Sequence, residues 1–442
     1  MSQHYKVSRS TIRRAWRELE SMGYISWADQ DTPTVIGRPQ WPVRVQRSTV
    51  GRLTSELRPS FLGDLMQAAV SAARYNFEVG MPDPDLLPVQ EFQQILRELF
   101  SYPSREVFGY SPTLGLERVR QAIRDVYLAR RGLEPKLEEV LVTAGSLQGL
   151  NLLTRLWVRP GDVVVVESPT FAGALHIFRA HEATIVDVPM DQFGMRTDLL
   201  PHLLSGKPTP RFLYIQPVGQ NPTGITLSPE RRQRLVTWAQ ASGVPIVEDD
   251  AYGFLSDDLP LAAQNPSLPL VYLNTFSKIL SPGIRVGCVV APADLIRQLV
   301  SLKQLSDLHT GTLSQLVVEG WLRLGNVDTH VARCRSVYSA RLKTAERTIA
   351  RFPRLTLYAR PNHGFYLFVR LPSGLKAADL QNEAAKQELL FAIGDPFGTD
   401  QKFSQWMRLA VGAQPVPQIE TGLWRLARLV DRYAARGSSG PS

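Results

Sequence analysis

Six short and almost wholly apolar runs are the feature that most constrains the fold of this chain. Each is long enough for a buried strand, and stretches with the spacing of amphipathic helices separate several of them. This alternation predicts an α/β fold, with a large and mostly parallel sheet flanked by helices. A smaller α+β domain, made mainly from the C-terminal part of the chain, is expected after it. The six runs comprise residues 140–143, 163–166, 212–215, 245–248, 271–276 and 286–290.

Small or polar residues stand where several of these runs end. Ser146 follows the first run in a Gly-Ser turn, and the helix that begins there offers free backbone N–H groups to a phosphate. Asn221 stands in an Asn-Pro-Thr-Gly stretch after the third run, and Asp249 follows the fourth. Lys278 follows the fifth, and Arg285 comes seven residues later. Because lysine bonds covalently to aldehydes and an arginine fork suits phosphate, the pattern indicates a ligand that carries both groups.

The segment from Thr275 to Arg285 resembles the lysine motif of fold-type I enzymes that use pyridoxal 5′-phosphate (PLP), the aspartate-aminotransferase superfamily. Six different motifs of this superfamily, in the order in which the family has them, cover residues 77 to about 412. The Gln-Asn-Pro-Thr-Gly stretch at 220–224 is also similar to that of kynurenine and 2-aminoadipate aminotransferases. The resemblance implies PLP as cofactor, bound by a large domain at 76–325 that precedes the small domain at 326–442.

The resemblance also implies roles around the cofactor. Lys278 would form the internal aldimine and then move the α-proton, while Asp249 would keep the pyridine nitrogen protonated. Asn221 and Tyr252 would bond the pyridine O3′ oxygen, and Phe171 would pack against the face of the ring. The phosphate would be held by Ser146, Leu147, Thr275, Ser277, Arg285 and, across the interface of a homodimer with shared active sites, Tyr110.

On the substrate side, the resemblance implies that Arg408 binds the α-carboxylate of the amino acid as a bidentate fork. Asn221 would border the same carboxylate, and Gly80 would let the backbone approach the ligand closely. His363 stands where the family usually has a small residue, so it either fills space or contacts the substrate. No metal is expected, since the two cysteines have no metal-ligand spacing.

The first 40 residues carry a different pattern. A helix is predicted from Ser8 to Met22, with an apolar stripe on one side and four arginines on the other, and a short hairpin is predicted after it. This segment, at 1–40, resembles part of a GntR-type winged helix-turn-helix, which joins a PLP fold in the MocR group of regulators, and residues 41–75 would be a linker. That family places two more helices before the recognition helix, and only six or seven residues precede it here. We therefore expect a truncated, misassigned or vestigial segment and no specific DNA binding.

Three functions are compatible with these residues. The first, which we expect, is a PLP-dependent aminotransferase acting on an α-amino acid and a 2-oxo acid. The second is a MocR-type regulator that uses the PLP fold to sense an effector. The third is a PLP enzyme that diverts the chemistry to elimination, replacement or carbon–carbon bond formation, and Phe171 and His363 are the residues that favour it. Which amino acid is used depends on the shape of the pocket rather than on these motifs.

Composition favours a globular protein over a membrane or disulfide-bonded one. The chain has 442 residues, of which 44% are hydrophobic and 21% charged. No apolar run approaches the ~18 residues that a membrane span needs. The formal net charge is +9, and residues 1–60 hold ten lysines and arginines against five acids, a balance that either attracts nucleic acid or solvates a surface. We expect a cytoplasmic protein with no membrane partner and with both cysteines reduced.

Overall fold

A computed structural model gives the fold, and it describes residues 8–21, 24–27, 33–35, 68–69, 71–101, 105–265 and 267–437. Contacts divide the chain into two compact units, 1–59 and 60–442. The predicted linker at 41–75 lies mostly outside the described residues. Within the described segments, no helix is long and apolar enough to cross a membrane.

The first unit holds a helix followed by a hairpin. Ser8 caps the helix, because its Oγ accepts a hydrogen bond from the Thr11 backbone N–H at 3.1 Å. The rings of Trp16 and Trp27 pack edge-to-face at 5.5 Å and so join the helix to the hairpin. The helix and hairpin agree with the sequence prediction, although Met22 lies outside the described residues. The elements are α1 (Arg9–Ser21), β1 (Ile25–Trp27) and β2 (Pro33–Val35), with the two strands antiparallel.

The described part of the second unit contains two sheets. The strands are β3 (Tyr75–Phe77), β4 (Val140–Thr143), β5 (Val163–Ser168), β6 (Thr184–Asp191), β7 (Gly194–Met195), β8 (Phe212–Ile215), β9 (Ile246–Asp249), β10 (Leu270–Thr275), β11 (Gly287–Val290), β12 (Thr356–Leu357), β13 (Tyr366–Arg370), β14 (Leu389–Ile393) and β15 (Trp406–Ala410). The larger sheet has the strand order β4-β11-β10-β9-β8-β5-β6-β7, and the smaller has the order β12-β13-β15-β14-β3. The predicted α/β class, with a large sheet and a smaller second sheet, is confirmed.

The larger sheet is mixed, with a parallel core. Strands β10, β9, β8, β5 and β6 run parallel, whereas β11 is antiparallel to β10 and β4, and β7 is antiparallel to β6. The carboxyl ends of parallel strands share one edge, which is where open α/β sheets bind ligands. Asp249 ends β9 and Thr275 ends β10, so two predicted site residues lie at this edge.

Helices cover both faces of the larger sheet, and others pack on the smaller one. The helices of the second unit, in the described residues, are α2 (Val89–Ser101), α3 (Arg105–Phe108), α4 (Glu117–Ala122, continued by a π-helical segment, Ile123–Leu128), α5 (Ser146–Trp157), α6 (Ala172–Ala180), α7 (Leu200–Leu204), α8 (Pro229–Ser242), α9 (Leu261–Gln264), α10 (Ala293–Asp307), α11 (Thr312–Arg323), α12 (Val327–Ile349), α13 (Ala377–Ala385) and α14 (Val416–Gly437). Val164 and Val166 of β5 join the core formed by α5, α6 and α10, whereas Val163 and Val165 join the core formed with α8. This division follows because successive side chains of a strand point to opposite faces.

The smaller sheet brings an early segment of the chain next to the C-terminal part. Strand β3 pairs in parallel with β14, and β15 lies antiparallel between β13 and β14. Helix α12 contacts β13, and α14 contacts both α12 and β3. Gly80 follows β3 by three residues and Arg408 lies on β15, so this sheet places both predicted substrate-side residues in one region.

Candidate active site

Lys278 lies in a tight turn at the end of β10. The side chain of Thr275 accepts a hydrogen bond from the Ser277 backbone N–H at 3.2 Å, which starts a single 3₁₀ turn that ends at the lysine. The ammonium nitrogen Nζ donates to the Gly80 carbonyl oxygen at 2.8 Å. It also lies 5.8 Å from the centre of the Tyr252 ring. The reactive amine is therefore held between the large sheet and the segment after β3.

A positive pocket lies beside this lysine turn. Arg285, in a left-handed backbone conformation with φ 54°, donates to Ser277 Oγ at 3.4 Å and to the Ala144 carbonyl at 2.7 Å. Gly145, with φ 92°, precedes Ser146, the first residue of α5. The guanidinium group and the free N–H groups at the start of α5 thus converge on one place, as a phosphate requires.

Asp249 lies deeper, beneath these groups, and is 3% exposed. Its Oδ2 accepts hydrogen bonds from Tyr214 Oη at 2.8 Å and from Gln216 Nε2 at 3.0 Å. Burial raises the pKa of the Asp249 carboxyl to about 6, and the side chains of Tyr214, Gln216 and Ser146 oppose that rise. Its Oδ1 is buried and has no hydrogen-bond partner among the described residues. A donor from a ligand, such as a protonated ring nitrogen, would complete it.

Arg408, on β15 of the smaller sheet, forms another part of the site. It is 2% exposed, and its guanidinium lies 4.7 Å from the Tyr366 ring centre and 5.0 Å from that of Phe397. It donates to Asn221 Oδ1 at 3.1 Å and to the Glu78 carbonyl oxygen. The described residues include no carboxylate paired with it, and its Nε is buried without a partner. A buried cation of this kind is a suitable partner for an anionic group of a ligand.

Two buried tyrosines lie between the lysine and Arg408. Tyr252 Oη and Tyr366 Oη are 2.7 Å apart, and burial is the main cause that raises the pKa of Tyr252 well above its usual value. The Tyr366 hydroxyl also lies against Gly80, where an added Cβ would collide with it. Gly80 is therefore required by the close approach of the two segments.

Four other predicted residues occupy less central positions. Phe171 packs over Gly173, where Leu147 Cδ1 also approaches. His363 Nδ1 lies 3.1 Å from Thr226 Oγ1, and burial lowers the pKa of His363. Tyr110 is 88% exposed and packs edge-to-face on His309 at 5.8 Å.

Several residues that complete the site had no role predicted from the sequence. Gln216 and Tyr214 hold Asp249, and Tyr366 and Phe397 hold Arg408. Gln216 had a signal, because it is the first polar residue after an apolar strand. Tyr366 and Phe397 had no such signal in the sequence, because their contacts with Arg408 depend on how β13 and the loop after β14 pack.

Comparison with known proteins decides the family. The family model for aminotransferase class I and II matches residues 76–423. The chain belongs to this aminotransferase family. The aminotransferase is 32% identical over 386 residues to the 2-aminoadipate transaminase of Thermus thermophilus, over 86% of this chain and 95% of that protein. It is 28% identical to the uncharacterized HTH-type transcriptional regulator YdcR of Escherichia coli, over 96% of this chain and 91% of that protein.

A solved structure shows the same architecture. The kynurenine aminotransferase of Pyrococcus horikoshii, in complex with PMP, matches with a TM-score of 0.81 at 28% identity, covering 87% of this chain and 98% of that chain. The resemblances to kynurenine and 2-aminoadipate aminotransferases and to MocR-type regulators are thus confirmed. The protein is a PLP-dependent transferase, and its residues fit that cofactor. Asp249 Oδ1 lacks a donor, Arg285 and α5 form an anion pocket, and Lys278 lies beside both.

Proposed function

We propose that this aminotransferase moves the amino group of an α-amino acid to a 2-oxo acid, with Lys278 as the reacting lysine. The observation that carries the proposal is the state of Arg408, a buried cation with an unpartnered Nε and no carboxylate partner among the described residues. Both the amino acid and the oxo acid carry an α-carboxylate, which would complete this arginine as a bidentate pair. The contact from Arg408 to Asn221 ties that carboxylate site to the cofactor site.

PLP, when bound, supplies an aldehyde carbon that bonds to amines and a ring that withdraws electrons. Asp249 would accept the ring N–H at Oδ1, because its Oδ2 is already occupied. Asn221 would donate through Nδ2 to the phenolic oxygen, since its Oδ1 is bonded to Arg408. Tyr252 would donate to the same oxygen. Lys278 would take the proton from the α-carbon of the substrate as a general base and then return it as a general acid.

The phosphate would be held at the other end of the site. Arg285 would supply charge and a fork of donors, and the hydroxyl groups of Thr275 and Ser277 lie 2.9 Å from one another beside it. The backbone N–H groups of Ser146 and Leu147, in the first turn of α5, would be further donors. Charge and hydrogen bonds together would orient the ring relative to Lys278.

A homodimer with shared active sites is the second part of the proposal. Tyr110, 88% exposed, is free to reach the phosphate of a partner subunit. Two residues before it, Phe108 is 75% exposed and stacks on Phe100, which is 49% exposed, with ring centres 5.9 Å apart. Such a group of exposed aromatic rings is typical of a surface that another protein covers.

The substrate side chain is expected to meet apolar rings. Tyr366 and Phe397 flank Arg408, and Phe171 lies near the start of α6. His363 remains a predicted substrate contact, although its Nδ1 is engaged with Thr226. We therefore include aromatic amino acids, kynurenine and 2-aminoadipate in the substrate panel, the last two because they appear in the names of relatives.

The regulator of the MocR type is the second candidate function, and the first unit and the relative YdcR favour it. We propose that the chain nevertheless does not bind DNA specifically. Leu19, on the apolar side of α1, is 40% exposed, so within the described residues this helix is held mainly by the contact between Trp16 and Trp27. Arginines on the other side would give weak, salt-sensitive attraction, with Kd on the order of 10⁻⁴–10⁻⁶ M. In anisotropy titrations at physiological salt, a strong preference for one DNA sequence would favour the regulator instead.

We also propose that the enzyme is cytoplasmic. Cys288 and Cys334 are both free and buried. Burial raises the pKa of each thiol to about 12, so neither is readily oxidised. Free thiols of this kind are ordinary in a reducing compartment.

The test of the proposed function is an amino-acid screen of the purified holoenzyme. Each amino acid is added without an oxo acid, and the absorbance of the PLP form is followed as the pyridoxamine form replaces it. We expect conversion with at least one amino acid in wild type and none in Lys278→Ala. Release of ammonia without the pyridoxamine form would instead favour the diverted chemistry.

A further inference from the structure

Gln216 lies at the centre of the hydrogen bonds that join the two halves of the cofactor site. It is the first residue after β8 and is 3% exposed. Its Nε2 donates to Asp249 Oδ2 at 3.0 Å, and its Oε1 accepts from the Asn221 backbone N–H at 3.1 Å. Its own backbone N–H donates to Glu167 Oε2 at 3.0 Å. The backbone and both ends of the side chain are thus fixed.

These contacts also fix the orientation of the amide. The donor end must face the carboxylate, and the acceptor end must face the N–H group, so a flipped amide would lose both bonds. Asp249 and Asn221 come from different strand ends, and Gln216 is the one side chain in the described residues that bonds to both. In the proposed function, Asp249 faces the ring nitrogen and Asn221 faces the phenolic oxygen of the same ring.

We propose that Gln216 is a positioning residue that couples the group facing the ring nitrogen, Asp249, to the group facing the phenolic oxygen, Asn221. This proposal rests on the proposed roles of those two residues. A neutral donor on Oδ2 stabilises the ionised form of Asp249, which burial disfavours. Without that donor, the proton shared with the ring nitrogen shifts toward Asp249. Without the acceptor, the turn that carries Asn221 loses a support.

Other titratable groups also face Asp249, and they stay the same in the Gln216 variants described below. They come from β5, β8 and the turn after β9, and are Glu167, Tyr214, Asp250 and Tyr252. Tyr214 offers a useful comparison, because it donates to Asp249 and has no hydrogen bond to Asn221 in the described residues. Tyr214→Phe therefore removes a donor from Asp249 and leaves the link between Gln216 and Asn221 intact.

The experiment uses holoenzyme reconstituted with PLP that carries ¹⁵N in the ring. The ¹⁵N chemical shift reports protonation of the ring nitrogen, and the visible absorbance as a function of pH reports the hydrogen bonds to the phenolic oxygen. Gln216→Met keeps the volume and removes both bonds. Gln216→Asn retracts the amide and is the second variant if the first does not fold. Gln414→Met is the matched control, because Gln414 is also buried but bonds to the Asn76 carbonyl of the smaller sheet.

We expect Gln216→Met to move the ¹⁵N shift toward the unprotonated value and to displace the absorbance titration. We expect Tyr214→Phe to move only the ¹⁵N shift and Gln414→Met to move neither. The PLP dissociation constant of Gln216→Met should rise about tenfold. A Gln216 variant in which either the ¹⁵N shift or the absorbance titration equals that of wild type overturns the coupling. An unprotonated ring nitrogen in wild type itself would instead overturn the proposed role of Asp249, and the coupling with it.

Discussion

Asp249 and Arg408 are both buried, and each keeps one polar atom without a partner in the described part of the chain. A buried polar atom left without a hydrogen bond costs about 1–3 kcal/mol, and more if its group is charged. The two atoms differ in the partner that they bind, because Asp249 Oδ1 accepts a hydrogen bond and Arg408 Nε donates one. These two residues therefore favour a donor from a ligand at Asp249 and an anionic group at Arg408.

The first prediction concerns the arginine fork. Arg408→Lys keeps the charge but presents one donor group in place of a planar fork. We expect a loss of about 2 kcal/mol or more in binding of the amino acid, or roughly thirtyfold in its apparent affinity. The affinity is read from the spectroscopic titration with the best substrate. Arg370→Gln, at the exposed end of β13, is the control and should leave the affinity unchanged. An unchanged affinity in Arg408→Lys would place the carboxylate elsewhere.

The second prediction concerns stability and pH at Glu167. Burial raises the pKa of this carboxyl from its usual 4.5 to about 8. Between about pH 4.5 and 8, the unfolded chain loses this proton while the folded protein keeps it, so the free energy of unfolding falls as pH rises. Glu167→Gln has no proton to lose at this position. Its stability relative to wild type should therefore rise by a few kcal/mol across that window.

Urea unfolding of wild type, Glu167→Gln and an exposed control, Glu134→Gln, at both ends of this window measures the difference. The control should follow wild type, because Glu134 lies at the surface. Parallel curves for wild type and Glu167→Gln would show that Glu167 is ionised in the folded protein. Asp249 and Glu248 have raised pKa values of the same sign, and the subtraction removes their contribution.

At the scale of elements, strand ends carry the site. The sequence predicted the strands and the polar residues that follow them, because an apolar run followed by a polar residue marks the end of a strand, as with Asp249 and Lys278. The chemical roles of these residues stay predictions. Arg408 was predicted from its likeness to a family position. What no local pattern could predict is contact between elements far apart in sequence. The bond from Arg408 to Asn221 spans 187 residues.

The same limit explains the residues that the sequence analysis missed. Gln216 was visible as a polar residue after a strand, but its two partners become neighbours only when β8 and β9 pair. Tyr366 lies three residues after His363, yet its contact with Arg408 depends on where β15 places that arginine. The position of Tyr110 relative to a partner subunit is likewise outside what one chain shows.

A prediction at this scale concerns the start of α5. Gly145 has φ 92°, and an added Cβ would lie 3.0 Å from Arg285 Nη2. Gly161 has a similar φ of 86°, but nothing lies within 4 Å of its Cβ position. Alanine at either position should therefore cost about 1–3 kcal/mol of stability through backbone strain. Only Gly145→Ala should also weaken PLP binding, as measured by titration of apoenzyme with cofactor. Equal PLP affinity in the two variants would show that the start of α5 does not bind the phosphate.

At the scale of the whole molecule, the proposal requires two subunits to complete each site. Tyr110→Phe and Lys278→Ala variants should each be impaired, because the first lacks a phosphate contact and the second lacks the reacting amine. When they are mixed and allowed to exchange subunits, one of the two sites in each hybrid dimer carries both wild-type residues. Activity should recover to at most one active site per hybrid. No recovery despite exchange, confirmed by native mass spectrometry, would contradict the shared site.

The central claim is that this protein transfers an amino group from one carbon skeleton to another at Lys278. Tracing the nitrogen tests it most directly. The holoenzyme is given a ¹⁵N-labelled amino acid chosen by the screen together with an unlabelled 2-oxo acid, and the products are analysed by mass spectrometry. We predict ¹⁵N in the amino acid formed from the oxo acid, over many turnovers and only when Lys278 is present. Label recovered as free ammonia, or transfer that continues in Lys278→Ala, would contradict the account.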